Sequence, residues 1–500
     1  MGGVVAAGHP LTAEAGAQIL REGGNAVDAA VAAALMSFVA EPALTGPGAG
    51  GFMLVHTAAG EDHLLDFFVA APGRDVPGPP APLLPVEVVF SDDATQVFHV
   101  GPSSCGVYGT PAGLAEALAR FGTASLADLV GAPAAAARAG VPLTPMQGYL
   151  HHILHPVFTA TPEAAALFEP EGRPLRAGER LRQPELAELL ERLGAEGPGF
   201  LYDGDVARAT SAWLLERGGL LSEGDLAAYA PVERRPAETA YRGRRVLTNP
   251  PPSSGGILIA YALALLERGR AAADVRAFAE ASARANRMRT EEFVLGLHTE
   301  GYLERFLAEA LDREAGRLGS TTHIAVLDEQ GACASLTCSN GSGSGVVVPG
   351  TGLHLNNMLG EQDLNPLGFH RHEPGRRVFS MMAPTVVLRD GEVELALGSA
   401  GSNRIRSAIV QTILAVVDHG LGVREAVERP RVHVEGDVVE AEPGVDPAAL
   451  AALEAGGFEV RRWHDRNLYF GGVQAVARDP QTGALSGAGD PRRGGVAVVV

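Results

Sequence analysis

The chain has 500 residues, 46% hydrophobic and 20% charged, which supplies ample material for a core and excludes disorder over most of its length. Its 40 Lys and Arg against 59 Asp and Glu give a formal charge of −19, which repels phosphate backbones and excludes a nucleic-acid partner. Three cysteines cannot make a disulfide framework, and no CxxC pair points to zinc.

In chain order, residues 4–7 read as a strand, His9 to Thr12 as a turn and N-cap, and 13–22 as a helix that Gly23-Gly24 ends. Residues 25–38 read as a second helix, apolar nearly all round and therefore buried. A glycine loop over 45–51 precedes strands at 52–56 and 63–69, and 71–88 is Pro-rich and irregular. Helices are expected at 114–120, 124–139, two or three times within 183–230, and at 257–268 and 271–297, with a strand at 241–248. Asn249 to Gly256 (NPPPSSGG) reads as a rigid loop. From Thr321 onward strands dominate: a hairpin of 321–328 and 332–339, then 346–348, 353–355, 385–389 and 393–397, with helices only at 407–420 and 447–455. Residues 310–320 form a polar, Gly-containing stretch before this β-rich part, where a boundary or a cleavage is expected.

Ala29 to Ala40, the longest uncharged apolar run near the start, is bounded by Asp28 and Glu41 and falls short of the roughly 20 residues a membrane span needs. No basic n-region with a small-residue cleavage site opens the chain. The expectation is no membrane partner and a cytoplasmic protein as written, or a periplasmic or secreted one if a signal has been removed.

Several patterns are weaker than they look. Gly46 to Gly51 matches GxGxxG, but it follows a helix and precedes a strand, the reverse of a dinucleotide loop, so close backbone packing is expected. His370, His372 and Glu373 lack a partner cluster and read as solvated rather than metal-ligating. His151, His152 and His155 read as covering a helix face. Ser399 and Ser402 do not fit a nucleophile elbow.

The informative segment is Ser320-Thr321-Thr322-His323 opening a buried strand. A threonine hydroxyl needs a base, and a free α-amine on the same residue, with an unperturbed pKa near 8, supplies one. An internal threonine acquires that amine only by cleavage of the bond before it. By itself the segment is weak, because strands often begin with threonines.

Around it the chain resembles the γ-glutamyltransferase family of N-terminal nucleophile hydrolases. The residues that carry the resemblance are His9-Pro10-Leu11, Gly23 to Ala32, Glu41-Pro42, Gly48 to Phe52, Gly204, Gly218-Gly219, Asp225-Leu226, Tyr229, Tyr241 to Gly243, Pro250 to Gly256, Thr321 to His323, Leu355 to Asn357, Ser380 to Thr385, Gly398 to Ile405 and Gly489 to Arg492. The resemblance implies an α+β fold, a four-layer αββα sandwich. It implies a precursor that cuts itself before Thr321, leaving 1–320 and 321–500 as two associated subunits of one folded unit, with higher oligomers left open. Thr321 would be nucleophile and base, the backbone N–H groups of Gly401 and Ser402 the oxyanion donors, and the Ser339 hydroxyl a support for the amine. No metal or organic cofactor is implied.

The recognition half departs from the family. The arginine that pairs with a γ-glutamyl carboxylate falls on Phe68, and the serine pair that assists it is Ser380-Met381. A phenyl ring cannot replace a bidentate guanidinium, and a lost charge-assisted pair is worth about 1.5–3 kcal/mol. The acid that binds the α-amine is Glu361 without an alignment gap and Asp363 with one. The family's asparagine falls on Gly341, with Asn340 one place earlier, and the segment from Asn357 to Ser380 is short for the family's lid loop. The expectation is a self-processing amide hydrolase or acyltransferase acting on a small-molecule γ-glutamyl or related, more apolar acyl amide. Two alternatives stand beside it: an ordinary γ-glutamyl transpeptidase or glutathione hydrolase with the arginine relocated to Arg404 or Arg406, and an unprocessed, non-catalytic binding protein on the same fold.

Overall fold

Strands buried on both faces, such as Gly3–Ala7 and Thr322–Asp328, need cover on both sides, and the chain supplies it by stacking two antiparallel sheets and capping each with helices. The computed structural model describes residues 2–91, 94–269, 272–299, 301–309 and 321–500. The first sheet has seven strands in the order Val496–Val499, Gly3–Ala7, Thr322–Asp328, Cys333–Ser339, Gly50–His56, Asp62–Phe67 and Val232–Arg234. The second has six: Leu485–Gly489, Gly472–Arg478, Glu392–Ala400, Thr385–Arg389, Arg244–Thr248 and Ala237–Tyr241. Both sheets combine strands from before and after residue 320, interleaved in the first and side by side in the second, and the four-layer αββα arrangement is the one expected.

The period of two assigns each side chain to a layer. Val5, Ala7, Ile324 and Val326 face the helices Pro10–Arg21 and Ala26–Ala40, whereas Val4, Ala6, Ala325 and Leu327 face the other sheet. Across the gap, Val386, Leu388 and Ala396 point inward, and Val387, Leu395 and Leu397 point to the outer helices Ser254–Glu267 and Arg404–Val417. Ala26–Ala40 is buried at every position, as its uniform apolarity predicts. Among the described residues no helix is long and apolar enough to cross a membrane.

Four expectations change. The span 271–297 is two helices, Val275–Arg287 and Glu291–Gly296, because Thr290 caps a new start by accepting from the Phe293 N–H. The span 124–139 likewise divides into Leu126–Leu129 and Gly131–Ala139. The end of the Pro-rich region enters a hairpin of Leu84–Ser91 and Ala94–Val100. His151 covers no exposed face: it is buried edge-on to the rings of Phe158 and Phe168. The stretch 310–320, where a cleavage was expected, lies outside the described residues.

Asp28 ties the buried helix to the next layer. Its carboxylate accepts from the N–H groups of Asn25, Thr123 and Ala124 at 2.9, 2.8 and 3.0 Å and from the Thr123 hydroxyl at 2.6 Å. Asp28→Ala strands these buried donors, so urea unfolding should show a loss of about 3 kcal/mol, with Asp28→Asn losing less.

Candidate active site

Thr321 immediately precedes the strand Thr322–Asp328 and is 3% exposed. Thr322 pairs with Cys338, so the same ladder carried back one residue sets Thr321 opposite Ser339. Parity does the rest. The Thr322 hydroxyl points to the helix layer and donates to Glu41 at 2.9 Å, and Thr12 donates to the same carboxylate at 2.7 Å. Thr321 therefore points between the sheets, as does His323. The His323 ring meets the Thr337 hydroxyl at 2.8 Å and lies 3.4 Å from Ser335. Burial lowers its pKa to about 3, so it is a neutral link and not a base near pH 7. Ser339, wholly buried, accepts from the Gly341 N–H at 2.7 Å.

Thr321 lines a small cavity with Phe68, Glu361, Ser380, Met381 and Ser402, closed by Met358, Leu364, Met382 and Ile405. Its volume is about 20 Å³, room for about one water. Six of the ten residues singled out from the sequence thus converge on one space. Ser339 sits beside it as the residue opposite Thr321 in the ladder, and Gly401 as the chain neighbour of Ser402. Asn340 and Asp363 are not in the lining: the Asn340 amide backs onto Gly46, with neither polar atom hydrogen-bonded among the described residues, and Asp363 stands behind Ser402.

Gly401 and Ser402 form the turn between the strand Glu392–Ala400 and the helix Arg404–Val417. Gly401 has φ +110 and Ser402 φ +65. A left-handed serine costs about 1 kcal/mol, and here its hydroxyl is anchored by donating to Asp363 Oδ2 at 3.0 Å. The two N–H groups stand at the start of a long helix, where the dipole favours negative charge.

Glu361 is buried and accepts from the Ser342 N–H at 3.0 Å. Burial raises its pKa to about 7, opposed by that bond and by Arg404. Gly341 is required beside it: φ is +67, and a Cβ there would lie 2.1 Å from Asn357 Oδ1 and 2.7 Å from Glu361 Oε1. Glu361 thus occupies the space into which an asparagine at 341 would project. Asp363 is also pushed up by burial, and its Oδ1 has no hydrogen-bond partner among the described residues. Arg404 and Arg406 do not enter the lining; only Ile405 between them does. Arg404 donates to the Tyr469 carbonyl at 3.0 Å and stacks over the Tyr469 ring, and Arg406 donates to Asn286 at 2.5 Å.

The supports explain motifs whose role was not apparent. The rigid loop holds Ser380 to Met382 in place: Asn249 and Ser253 donate to the Met382 carbonyl at 2.9 and 2.8 Å, and the Ser254 N–H donates to Ser380 at 2.9 Å. The segment from Asn357 to Ser380 is pinned, with Val378 N–H on Val69 and Ala71 N–H on Arg376. Phe68 is set by Asp66, whose Oδ1 accepts the Phe68 N–H at 2.9 Å and also Arg377 at 3.1 Å, while Arg234 takes Oδ2 at 2.7 Å. Phe68 then stacks on Phe52 with centroids 5.3 Å apart. Asp66, Arg377 and Glu41 were missed as supports. Glu41 was legible as a charge closing an apolar helix and as part of the Glu41-Pro42 motif, but neither signal gives it a role. The glycine loop packs its backbone closely, as expected: a Cβ on Gly48 would lie 2.3 Å from the His354 carbonyl. His370 and His372 donate to the carbonyls of Ser103 and Leu364 at 2.9 and 3.0 Å rather than standing in solvent.

Comparison with known proteins agrees in sequence and in shape. The gamma-glutamyltranspeptidase family model matches residues 12–500. An acylase ACY 1 proenzyme of Pseudomonas sp. (strain SE83) is 35% identical, over 100% of this chain and 93% of that one. A glutathione hydrolase proenzyme of Bacillus subtilis (strain 168) is 31% identical, over 99% of this chain and 91% of the relative. The crystal structure of a cephalosporin acylase from Bacillus halodurans superposes with a TM-score of 0.84 at 28% identity, covering 99% of this chain and 95% of that structure.

Glu361 gives the site a pH signature. Its folded pKa of about 7 exceeds the ordinary 4.5. The folded state therefore binds the extra proton, and stability falls as pH rises from 4.5 to 7. Glu361→Gln removes this loss, so in urea unfolding the variant should gain on the wild type by about 3 kcal/mol between pH 4.5 and 7.5.

Proposed function

The chain belongs to the gamma-glutamyltranspeptidase family, and from that premise we propose that it is a self-processing amide hydrolase or acyltransferase whose nucleophile is Thr321. The observation that carries this reading is one shared cavity: Thr321 faces Ser402, with its left-handed turn at a helix start, across a space walled by Phe68 and Met381. Its relatives are proenzymes by name. The uncut chain has neither a free amine at Thr321 nor room for more than about a water, which suits a precursor. Cleavage before Thr321 would leave 1–320 and 321–500 held together by the strand pairs they share, such as Gly3–Ala7 with Thr322–Asp328 and Arg244–Thr248 with Thr385–Arg389.

In the mature enzyme the Thr321 amine takes the proton of its own hydroxyl as the oxygen attacks the amide carbonyl. The oxyanion forms against the N–H groups of Gly401 and Ser402. The amine then protonates the departing nitrogen, leaving an acyl-threonine that water or a second amine resolves. Ser339, opposite in the ladder, steadies the amine.

The acyl group is read from the wall. Phe68, Met358, Leu364, Met381, Met382 and Ile405 are apolar, and the lining holds no arginine or lysine among the described residues. Glu361 is the charged group there, and it favours a donor such as an α-amine over an acid; Asp363, committed to Ser402, supports it from behind. The fit is an apolar acyl chain without an α-carboxylate. A γ-glutamyl donor keeps one favourable feature, the amine-binding Glu361.

Denaturing gels test the processing. The wild type should give two fragments, the smaller beginning with Thr321, and Thr321→Ala a single uncut chain; an uncut wild type after prolonged incubation at neutral pH refutes self-processing. Hexanoyl, phenylacetyl and γ-glutamyl 4-nitroanilides test the acyl site. The first two should exceed the third by at least about tenfold in kcat/KM, the worth of one lost charged pair. A γ-glutamyl preference abolished by Arg404→Ala favours the relocated-arginine reading instead.

A further inference from the structure

Asp363 lines no part of the Thr321 cavity, yet its Oδ2 accepts, at 3.0 Å, the hydroxyl of Ser402, which does line it. Asp363 is 5% exposed and sits on the short turn Gln362–Leu364. That turn is itself braced. The Leu364 N–H donates to the Glu361 carbonyl at 3.1 Å, and the Asn365 amide donates to the carbonyls of Met358 and Glu361 at 2.9 and 2.7 Å. Asp363 is therefore a fixed post, and Ser402 is tied to it.

Ser402 needs the tie. Its φ of +65 is a conformation that a Cβ disfavours and that glycine adopts freely. The carbonyls of the turn are committed to the helix start: Gly401 accepts from the Arg404 N–H at 3.0 Å and Ser402 from the Ile405 N–H at 2.9 Å. The N–H groups of Gly401 and Ser402 have no hydrogen-bond partner among the described residues. The Ser402 φ is the rotation about the bond from its own amide nitrogen to Cα. With the helix held in place, relaxing that angle swings the Gly401–Ser402 peptide and re-aims the Ser402 N–H.

We propose that Asp363 is a positioning residue for the reaction: by accepting the Ser402 hydroxyl it holds Ser402 left-handed, and so keeps the Ser402 N–H aimed at the oxyanion. The proposal rests on the reading of Thr321 as nucleophile and of Gly401 and Ser402 as oxyanion donors. It makes Asp363 and Ser402 one unit. The serine is tolerated in a glycine conformation because the acid anchors it, and the acid matters to the chemistry because the serine is there. Asp363 touches no substrate, so its removal acts on the chemical step and not on binding.

A double-mutant cycle on the cleaved enzyme, read with hexanoyl 4-nitroanilide, tests this coupling. Asp363→Ala should lower kcat at least about tenfold, part of the worth of one oxyanion donor, and change KM by less than about twofold. Asp363→Asn keeps an acceptor oxygen and should recover most of the loss. In the Ser402→Gly background, where the left-handed backbone needs no anchor, adding Asp363→Ala should cost less than about twofold. Ser402→Ala keeps the Cβ and loses the hydroxyl, so its kcat should fall at least about fivefold below that of Ser402→Gly. The proposal is overturned if Asp363→Ala costs as much in the Ser402→Gly background as in the wild type, if its effect lies in KM alone, as for an acid that binds the substrate's amine, or if Ser402→Ala matches Ser402→Gly. If Asp363→Ala does not fold or cleave, the two Ser402 variants decide. Failure of the underlying reading looks different: the wild type stays uncut, or Thr321→Ala still turns over the anilide.

Discussion

Everything at the site depends on the register of one antiparallel pair. Thr322–Asp328 lies between Gly3–Ala7 and Cys333–Ser339, and the ladder sets Thr322 against Cys338. Because side chains alternate, a slip of one residue would turn Thr321 into the helix layer and present Thr322 to the cavity. The register is held on the outer face by apolar Ile324 and Val326 and by the Glu41 bond to Thr322, and on the inner face by Ala325, Leu327 and the His323 link to Thr337. The direction in which Thr321 points is a consequence of core packing two and four residues away.

The recognition surface is built in another manner. Phe68, Ser380, Met381, Glu361 and Ser402 come from loops and strand ends and are fixed by four polar supports: Asp66 with its two arginines for Phe68, the proline loop for Ser380 and Met381, Ser342 for Glu361, and Asp363 for Ser402. Loops carried on a rigid sandwich can change their side chains without moving Thr321. That separation suits a chain that keeps the family's motif around Thr321 while Phe68 and Met381 depart from it.

The fold was legible where period and punctuation agree. The strands Thr322–Asp328 and Cys333–Ser339 and the uniformly buried Ala26–Ala40 follow from local pattern. Less was legible where the deciding partner is remote. The hairpin Leu84–Ser91 with Ala94–Val100 stands by pairing with itself and packing on the helices near 150, and Thr290 splits a helix that composition alone would continue. The burial of His151 depends on Phe158 and Phe168 closing around it.

Thr321, the Gly401-Ser402 turn and the replacement of an arginine by Phe68 were singled out through the family resemblance, which the order of motifs along the chain carries. That resemblance left Glu361 and Asp363 as equals, and Arg404 and Arg406 as spare cations. Only the tertiary structure decided between them. Glu361 faces the cavity and Asp363 lies behind Ser402, and Arg404 and Arg406 stand outside the lining, each with one hydrogen bond, to Tyr469 and Asn286. The physical reason is that a buried charge is defined by its neighbours in space, and those neighbours lie up to 120 residues away in the chain.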